Sequence, residues 1–183
     1  MKKLLVATVV VAVFAVPAAA TIVAPTELRE VITSATVIVR GRVTDVRAVA
    51  GAGREIDTVA TIAVRSVGVL KGAPVDFVSV RVPGGTIGRS KFVMVGAPVI
   101  TVGEDAVWFL KRGSLDALWP VGLSMGVYRV KPDLRTGLPV VDPPNVPGQT
   151  VQPGRLVRGD PTRKSMAVAE FESLVRLLVA AAR

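Results

Sequence analysis

Three consecutive segments with alternating apolar residues constrain the fold more than any other feature of the sequence. Residues 36–46, 57–70 and 75–82 each place apolar side chains at every second position. Successive side chains of a strand point to opposite faces, so this pattern is typical of strands buried on one side. Gly51-Ala52-Gly53 and Gly72-Ala73-Pro74 separate the segments, as turns do. We therefore expect three neighbouring strands that form a meander.

Two further strand regions and a short helix are expected around these segments. Residues 106–110 are apolar on both faces, which is typical of a central strand covered on both sides. Residues 118–130 hold the next strand or strands. A short helix is expected to begin at Pro25-Thr26-Glu27, with Thr26 as its N-cap, and to end near Ser34.

The end of the chain predicts a longer helix between residues 165 and 182. Its apolar side chains recur at the spacing of one helical face, at Phe171, Leu174, Val175 and Leu178. Charged side chains are expected on the opposite side of this helix, at Glu170, Glu172 and Arg176. The pattern indicates a helix packed on the sheet rather than a membrane anchor.

Together these elements describe a mainly β domain, either a small barrel of about five or six strands or, as the alternative, a β-sandwich. We assign residues 21–141 to this domain and residues 162–183 to the packed C-terminal helix. Residues 142–161, rich in Pro and Gly, are expected to form a linker between them. The wider segment 131–161 holds seven of the 13 prolines and shows no period, so it predicts a surface loop.

The first 20 residues have the three parts of a secretory signal peptide. Lys2 and Lys3 form a positive start, residues 4–16 are apolar, and Ala18-Ala19-Ala20 supplies the small residues of a cleavage site. The apolar run is shorter than the roughly 20 residues that a membrane-spanning helix needs. We therefore expect a secreted or periplasmic protein, with no transmembrane anchor in the mature chain.

The residue types that are missing limit the chemistry of the protein. The chain has no Cys and no His, so it has no disulfide, no zinc site of the Cys/His type and no imidazole base. No acidic loop with calcium-binding spacing occurs, and we expect neither a metal ion nor a cofactor. Removal of Lys2 and Lys3 with the signal peptide lowers the formal net charge from +9 to +7, which favours acidic partners.

Several short motifs occur in an order that resembles a known group of proteins. After the first helix come Ser34-Ala35-Thr36-Val37-Ile38-Val39-Arg40-Gly41-Arg42-Val43, Val69-Leu70-Lys71-Gly72, Val82-Pro83-Gly84-Gly85, Gly96-Ala97-Pro98 and Val102-Gly103-Glu104-Asp105-Ala106-Val107-Trp108-Phe109-Leu110. Over residues 27–130 this order is similar to that of uncharacterised exported bacterial proteins, which in turn resemble netrin-like modules and tissue inhibitors of metalloproteinases. The resemblance implies a barrel of the oligonucleotide/oligosaccharide-binding (OB) type.

The same resemblance implies an alternative function, the regulation or inhibition of an extracellular metalloprotease. The animal inhibitors bind the protease zinc through an N-terminal Cys and its amine, and disulfides hold them together. This chain has no Cys, and its expected mature terminus, Thr21, offers an amine and a hydroxyl instead. Regulation of an extracellular protease therefore stays open as the second hypothesis.

One motif points to an enzyme of the serine hydrolase class. Gly122-Leu123-Ser124-Met125-Gly126 fits the G-x-S-x-G pattern of a nucleophile elbow. That chemistry needs a base, and in a chain without His the nearest amines in sequence are Lys111 and Lys131. We interpret the two glycines as allowing a kinked barrel strand. A small hydrolase is thus the third hypothesis, and we predict that the protein is not an enzyme.

Two other motifs are interpreted as structural. Glu104-Asp105 is an adjacent carboxylate pair, and neighbouring side chains of a strand point to opposite faces, so the two cannot easily share a reacting atom. We expect a turn there. Gly84-Gly85-Thr86-Ile87-Gly88-Arg89 lacks the Gly-Lys-Ser/Thr ending of a P-loop, and no helical pattern follows it. We expect a plain loop.

The candidate ligand-binding residues lie in the outward register of the three alternating strands. If these strands are neighbours, one outer face carries Arg40, Arg42, Arg65, Phe77 and Arg81. We predict an exported, non-enzymatic binding or interaction module whose basic face takes an anionic polymer or a protein partner. A solvated face that prevents aggregation is the alternative. Nucleic acid is disfavoured, because stacking aromatics are few and the protein is expected to be exported.

The signal-peptide pattern predicts a defined mature N-terminus. Mass spectrometry of the exported protein should find a terminus at Thr21 or within a few residues of it, because signal peptidase reads the small residues before that position. An intact Met1 on protein bound to the membrane would contradict this prediction.

Overall fold

A computed structural model describes residues 28–113, 116–144 and 164–182. In these residues the chain forms, in order, α1 (Leu28–Ser34), β1 (Val37–Ala50), β2 (Ile56–Lys71), β3 (Phe77–Pro83), β4 (Gly85–Ile87), β5 (Ser90–Phe92), β6 (Asp105–Arg112), β7 (Leu118–Pro120), a 3-10 turn (Leu123–Gly126), β8 (Val127–Pro132), β9 (Pro139–Asp142), β10 (Met166–Ala167) and α2 (Val168–Ala181). The signal segment, Thr26 and nearly all of the expected linker lie outside the described residues.

Five strands close into a barrel, which confirms the predicted fold class. Neighbours in the barrel follow the order β1-β2-β3-β7-β6, and β6 pairs back onto β1. All of these contacts are antiparallel except the one between β3 and β7, where Val80 pairs with Leu118. The closing contact runs from Val37 opposite Leu110 to Arg42 opposite Asp105. Beyond the barrel, β8, β9 and β10 extend the sheet from the edge of β6.

The inward side chains of the barrel strands form a closed apolar interior. Its centre is Trp108, which has no exposed surface and whose indole N–H donates to the carbonyl oxygen of Gly41 at 3.4 Å. Gly41 is required there, because a Cβ at this position would lie 2.5 Å from the oxygen of Ala63. The close backbone approach that the sequence predicts at Gly41 is therefore present. The other fully enclosed members are Val39, Val43, Ala60, Ile62, Val80, Val82, Ala106, Leu110 and Val127.

A second apolar core lies outside the barrel, beneath the two helices. Ile38 and Phe109 alternate with the inward residues, and they are buried against α1 and α2. The outer surface of β1 is therefore not open to solvent at Ile38, contrary to the expectation of a strand buried on one side. The rings of Phe109, Tyr128 and Phe171 pack against one another, with centroids 5.1 to 6.4 Å apart. Trp108 and Phe109 thus both point into packed layers, as expected, but into different ones.

The C-terminal helix packs on the barrel with a face shifted from the predicted one. Phe171 and Val175 are buried as expected, but Val179 completes the row, and Leu174 and Leu178 are only partly buried. Glu172 is also buried, so its prediction for the solvent side is wrong. The apolar period alone cannot reveal that a carboxylate on this helix has a cationic partner on the barrel.

The sequence does not predict strands β4 and β9, because each is too short to show an alternating pattern of apolar residues. The segment 131–161, expected to be a loop, contains β9, which pairs with β8 from Arg129 opposite Asp142 to Pro132 opposite Pro139. The glycine-rich loop contains β4, which pairs with β5. Strands of three or four residues are specified by their partner strands rather than by their own sequence.

The contact of α2 with the barrel generates a stability prediction. Phe171→Ala should lower the free energy of unfolding by about 3–5 kcal/mol, because the cavity left beside Tyr128 and Phe109 cannot collapse fully. Leu177→Ala, on the exposed side of the same helix, should change it by less than about 0.5 kcal/mol. Denaturant titration followed by tryptophan fluorescence measures both. Equal midpoints for the two variants would contradict the docking of α2.

Candidate functional site

A bulge in β2 shapes the surface next to α2. Val39 pairs with Val69 while Gly41 pairs with Val64, so β2 has three more residues than β1 over this stretch. Gly68 lies against the carbonyl oxygen of Arg40, where any side chain would collide with the backbone. The guanidinium of Arg176, on α2, donates to the carbonyl oxygen of Val67 at 2.9 Å. Bulges of this kind re-aim side chains at the rims of barrels, and this one carries Arg65.

Arg40, Arg65, Asp105 and Glu172 form a charge network under the bulge. The two terminal nitrogens of Arg40 contact Asp105 Oδ2 at 3.3 Å and Glu172 Oε1 at 3.2 Å. Arg65 donates to the same Asp105 oxygen at 2.7 Å. The side chains of Arg40, Asp105 and Glu172 are 18%, 11% and 10% exposed, so the ion pairs are only weakly screened. The network connects β1, β2, β6 and α2.

An open groove of about 330 Å³ lies beside this network. It is lined by Arg40, Arg42, Arg65, Asp105, Val130, Lys131, Pro132, Gly137 and Pro139. Four of these residues are cations and one is an acid, and that acid is already bound by two arginines. The groove therefore presents an excess of positive charge to the solvent.

Arg42 is an exposed cation of this groove for which the described residues supply no partner. It is exposed and lies opposite Asp105 in the β1–β6 register. Its guanidinium makes no ion pair or hydrogen bond within the described part of the chain. Lys131 lies on the other wall, where it contacts Asp142 at 3.3 Å and remains 57% exposed. Exposed pairs of that kind are weak and exchange readily with other anions.

The second wall of the groove is the turn between β8 and β9, and Asp133 fixes its shape. The hydroxyl and the amide of Thr136 donate to Asp133 Oδ1 at 2.8 and 2.7 Å. These hydrogen bonds, with the amide of Arg135, lower the pKa of the Asp133 carboxyl from its ordinary value. The same hydrogen bonds that hold the turn therefore favour the charged carboxylate over the protonated form.

The structure brings together three of the five sequence-predicted site residues, Arg40, Arg42 and Arg65. Phe77 lies on the same outer face: Arg42 pairs with Ala63, and Ala63 pairs with Phe77, in one row across β1, β2 and β3. Its ring is exposed. Arg40 differs from the others, because both ends of its guanidinium are occupied by buried carboxylates.

Arg81 lies apart from the groove on the same sheet. Its Nε donates to Asp57 Oδ2 at 2.7 Å, and its Nη2 donates to the carbonyl oxygen of Ala50 at 3.3 Å. The guanidinium also lies over the ring of Trp119, 5.8 Å from the centroid. The arginines predicted as one stripe thus form two groups, of which Arg81 is already well partnered.

Lys131, Asp105 and Glu172 are site residues that sequence reasoning missed. Lys131 lies at the end of β8, and the wall it belongs to comes from the segment expected to be structureless. Glu104 and Asp105 have different partners: Glu104, which follows the expected turn, contacts Arg129 at 2.7 Å, while Asp105, the first residue of β6, contacts Arg65. Only the long-range pairing of β1 with β6 shows that Asp105 faces arginines.

The G-x-S-x-G motif lies in the 3-10 turn between β7 and β8, not in a kinked strand as expected. Ser124 Oγ donates to the carbonyl oxygen of Gly96 at 2.5 Å, and the Ser124 amide donates to the same oxygen at 3.0 Å. The hydroxyl thus anchors residues 93–102. Neither Lys111 nor Lys131 contacts Ser124 in the described part of the chain.

Two further properties concern the residues that the structure describes. Within these residues no group of three or more acidic side chains is arranged to hold a metal ion. None of the helices found there combines the length and the apolar character that crossing a bilayer requires.

Comparison with known proteins leaves the chain without an assigned family. No protein-family model matches it, and no curated protein matches it in a sequence search.

The charge network generates a prediction about stability. Asp105→Asn keeps the shape of the side chain but leaves Arg40 and Arg65 without their shared carboxylate. It should lower the free energy of unfolding by about 3 kcal/mol, because an unbalanced charge is left in a largely buried site.

Asp116→Asn is the matched control for this variant. It removes a carboxylate that is 83% exposed and paired with Arg112 at 2.6 Å, so it should cost less than about 1 kcal/mol. Asn also tolerates the left-handed backbone of Asp116, whose φ is 52°. Urea denaturation measures the free energy of unfolding of both variants. A similar decrease in the two would show that the network stabilises the fold no more than an exposed ion pair does.

Proposed function

We propose that the protein is an exported, non-enzymatic binding module that holds an anionic polymer in the groove between β1 and the β8–β9 turn. The observation that carries this proposal is Arg42, an exposed guanidinium without a partner in the described residues, between Arg65 and Lys131. Arg40 acts as a positioning residue, because it orients Asp105, which in turn orients Arg65.

The chemistry of the groove supports an anionic ligand with forked oxygens. The planar guanidinium of Arg42 matches the two oxygens of a carboxylate, a sulfate or a phosphate, whereas Lys131 contributes a point charge. Because Asp105 holds Arg65 in place at 2.7 Å, less side-chain entropy is lost when Arg65 binds. The groove is open, which suits a chain that passes across it rather than an enclosed small molecule.

An acidic polysaccharide fits the outer face better than a nucleic acid does. Among the described residues of this face, Phe77 supplies one exposed ring in the row with Arg42. A single ring suffices to stack on one sugar, whereas binding of single-stranded nucleic acid relies on successive stacked bases. Export, where it occurs, also separates the protein from cytoplasmic nucleic acid.

The netrin-like assignment and the regulation of an extracellular protease remain the alternative. A closed five-stranded barrel with a short helix before it and a helix after it supports the OB-type part of that assignment. The group that an inhibitor would present, the amine of Thr21, lies outside the described residues. The proposal of anionic polymer binding therefore rests on the groove, whose lining residues are described.

Removal of two groove cations tests the proposal. The double variant Arg42→Ser/Lys131→Ser should weaken binding to heparin by roughly tenfold or more at low salt, because two contacts of up to about 1 kcal/mol each are lost. High salt should abolish most of the difference, since the contacts are exposed and screened. Isothermal titration at two salt concentrations measures the effect, and an unchanged melting temperature shows that the fold is intact.

The matched control is the double variant Arg54→Ser/Lys111→Ser, which removes the same two residue types from exposed positions outside the groove. It should weaken heparin binding by less than about threefold, through net charge alone. Equal losses in the two double variants would show that the attraction is general and that the groove is not a binding site.

A further inference from the structure

A second surface of the barrel combines exposed apolar side chains with positive charge. Twelve large apolar side chains are exposed in the described part of the chain, and seven of them fall between Phe77 and Val102. Five of the seven lie on residues 93–102, at Val93, Met94, Val95, Val99 and Val102. We call residues 93–102 the apolar loop. It connects β5 to β6.

The apolar loop is held firmly, so its exposed side chains are not the result of a loose chain. On its inner side, Ile100 and Ala97 pack into the barrel interior. The carbonyl oxygen of Gly96 accepts two hydrogen bonds from Ser124, and Arg129 donates to the carbonyl oxygen of Val99 at 2.8 Å. With the backbone fixed in this way, Val95 and Val99 stay 87% and 78% exposed.

The stretch of chain that contains the apolar loop carries charges of one sign, and the acid that follows it, Glu104, is paired with Arg129 at 2.7 Å. From Phe77 to Gly103 the chain contains three basic residues and no Asp or Glu. Two of them, Arg89 and Lys91, lie on the β4–β5 hairpin, which leads directly into the loop. Both are exposed, and neither forms an ion pair in the described part of the chain. An apolar surface beside unpaired cations is complementary to a partner that has an apolar interior beneath an anionic outer layer.

We propose that the apolar loop and the β4–β5 hairpin dock on the surface of an anionic lipid bilayer. The valine side chains enter the boundary of the acyl chains, and Arg89 and Lys91 contact the phosphate headgroups. Stable attachment to a membrane surface needs two such signals together, one apolar and one electrostatic. This inference concerns another part of the barrel and does not depend on ligand binding in the groove.

The side chains of this surface favour a bilayer over a protein partner. Protein interfaces are enriched in aromatic residues, Met and Arg, whereas four of the five exposed apolar residues of the loop are Val. Insertion of Val into a bilayer is favourable. The backbone oxygens of Gly96 and Val99 already accept hydrogen bonds, so two carbonyl groups of the loop do not oppose contact with lipid.

A site-specific fluorophore tests the contact directly, because the chain has no native Cys. The exported protein, with its N-terminus determined, carries Val95→Cys labelled with an environment-sensitive dye, and the matched control carries Leu134→Cys with the same dye. Vesicles of phosphatidylcholine containing a quarter phosphatidylglycerol should shift the emission of the dye at residue 95 to the blue. They should leave the dye at residue 134, fully exposed on the β8–β9 turn, unchanged.

Variants without dye test the two signals separately in a vesicle sedimentation assay. Val95→Ser/Val99→Ser should lower the partition coefficient roughly tenfold, because apolar surface is lost. The matched control, Leu134→Ser/Leu138→Ser, should lower it less than twofold. Arg89→Ser/Lys91→Ser should lower partitioning onto the anionic vesicles roughly tenfold and onto pure phosphatidylcholine very little.

Other outcomes would overturn the inference and point to other causes. Sedimentation with an unshifted dye at residue 95 means that another surface, such as the groove, attracts the vesicles. A blue shift that grows with protein concentration in the absence of vesicles means that the loop binds a second copy of the chain. No sedimentation with anionic vesicles rejects membrane docking outright, whatever heparin binding shows for the groove.

Discussion

The pairing of β1 with β6 is the contact on which the rest of this structure depends. It closes the barrel over six residue pairs, from Val37 opposite Leu110 to Arg42 opposite Asp105. Both strands are buried on both faces along most of this contact, since Val39 and Trp108 face the barrel interior while Ile38 and Phe109 face the helices. Where the contact ends, at Arg42 and Asp105, the apolar cover ends too, and the polar groove begins.

Two arginines of β1 show how position along one strand separates a structural role from the binding role that we propose. Arg40 and Arg42 point to the same outer face, two residues apart. Arg40 lies within reach of α2 and is bound by Glu172 and Asp105, so it fastens the helix to the barrel. Arg42 lies beyond the reach of α2 and stays exposed. A buried guanidinium with two carboxylates is costly to disturb, whereas an exposed one can exchange solvent for a ligand.

The parts of the fold that could be predicted from the sequence are those with long periodic patterns. The alternation in residues 36–82 predicts three strands and the outward register of Arg42 and Phe77, because a period of two over many residues leaves one face to bury. Four-residue β9 and the partner of Glu172 could not be predicted, since both depend on which distant strands meet. One wall of the groove belongs to the long periodic strands, so the sequence indicates its arginines. The other wall belongs to the short β8–β9 turn, so the sequence does not indicate Lys131 or the turn held by Asp133.

The distribution of carboxylates explains why this basic protein presents two different surfaces rather than a uniform field. Four carboxylates form ion pairs with arginines of the barrel strands and of β8: Asp57, Glu104, Asp105 and Glu172. Among the described residues, cations without a carboxylate partner include Arg42 in the groove and Arg89 and Lys91 on the β4–β5 hairpin, besides scattered exposed ones such as Arg54 and Lys111. The binding that we propose for the groove is an attraction between charges and should decay with added salt, whereas the proposed burial of Val95 and Val99 would remove apolar surface from water and should not weaken with salt. Added salt should thus weaken binding by the cations of the groove and of the hairpin, but not binding by the valines. The salt dependence therefore distinguishes the contributions of charged and apolar side chains.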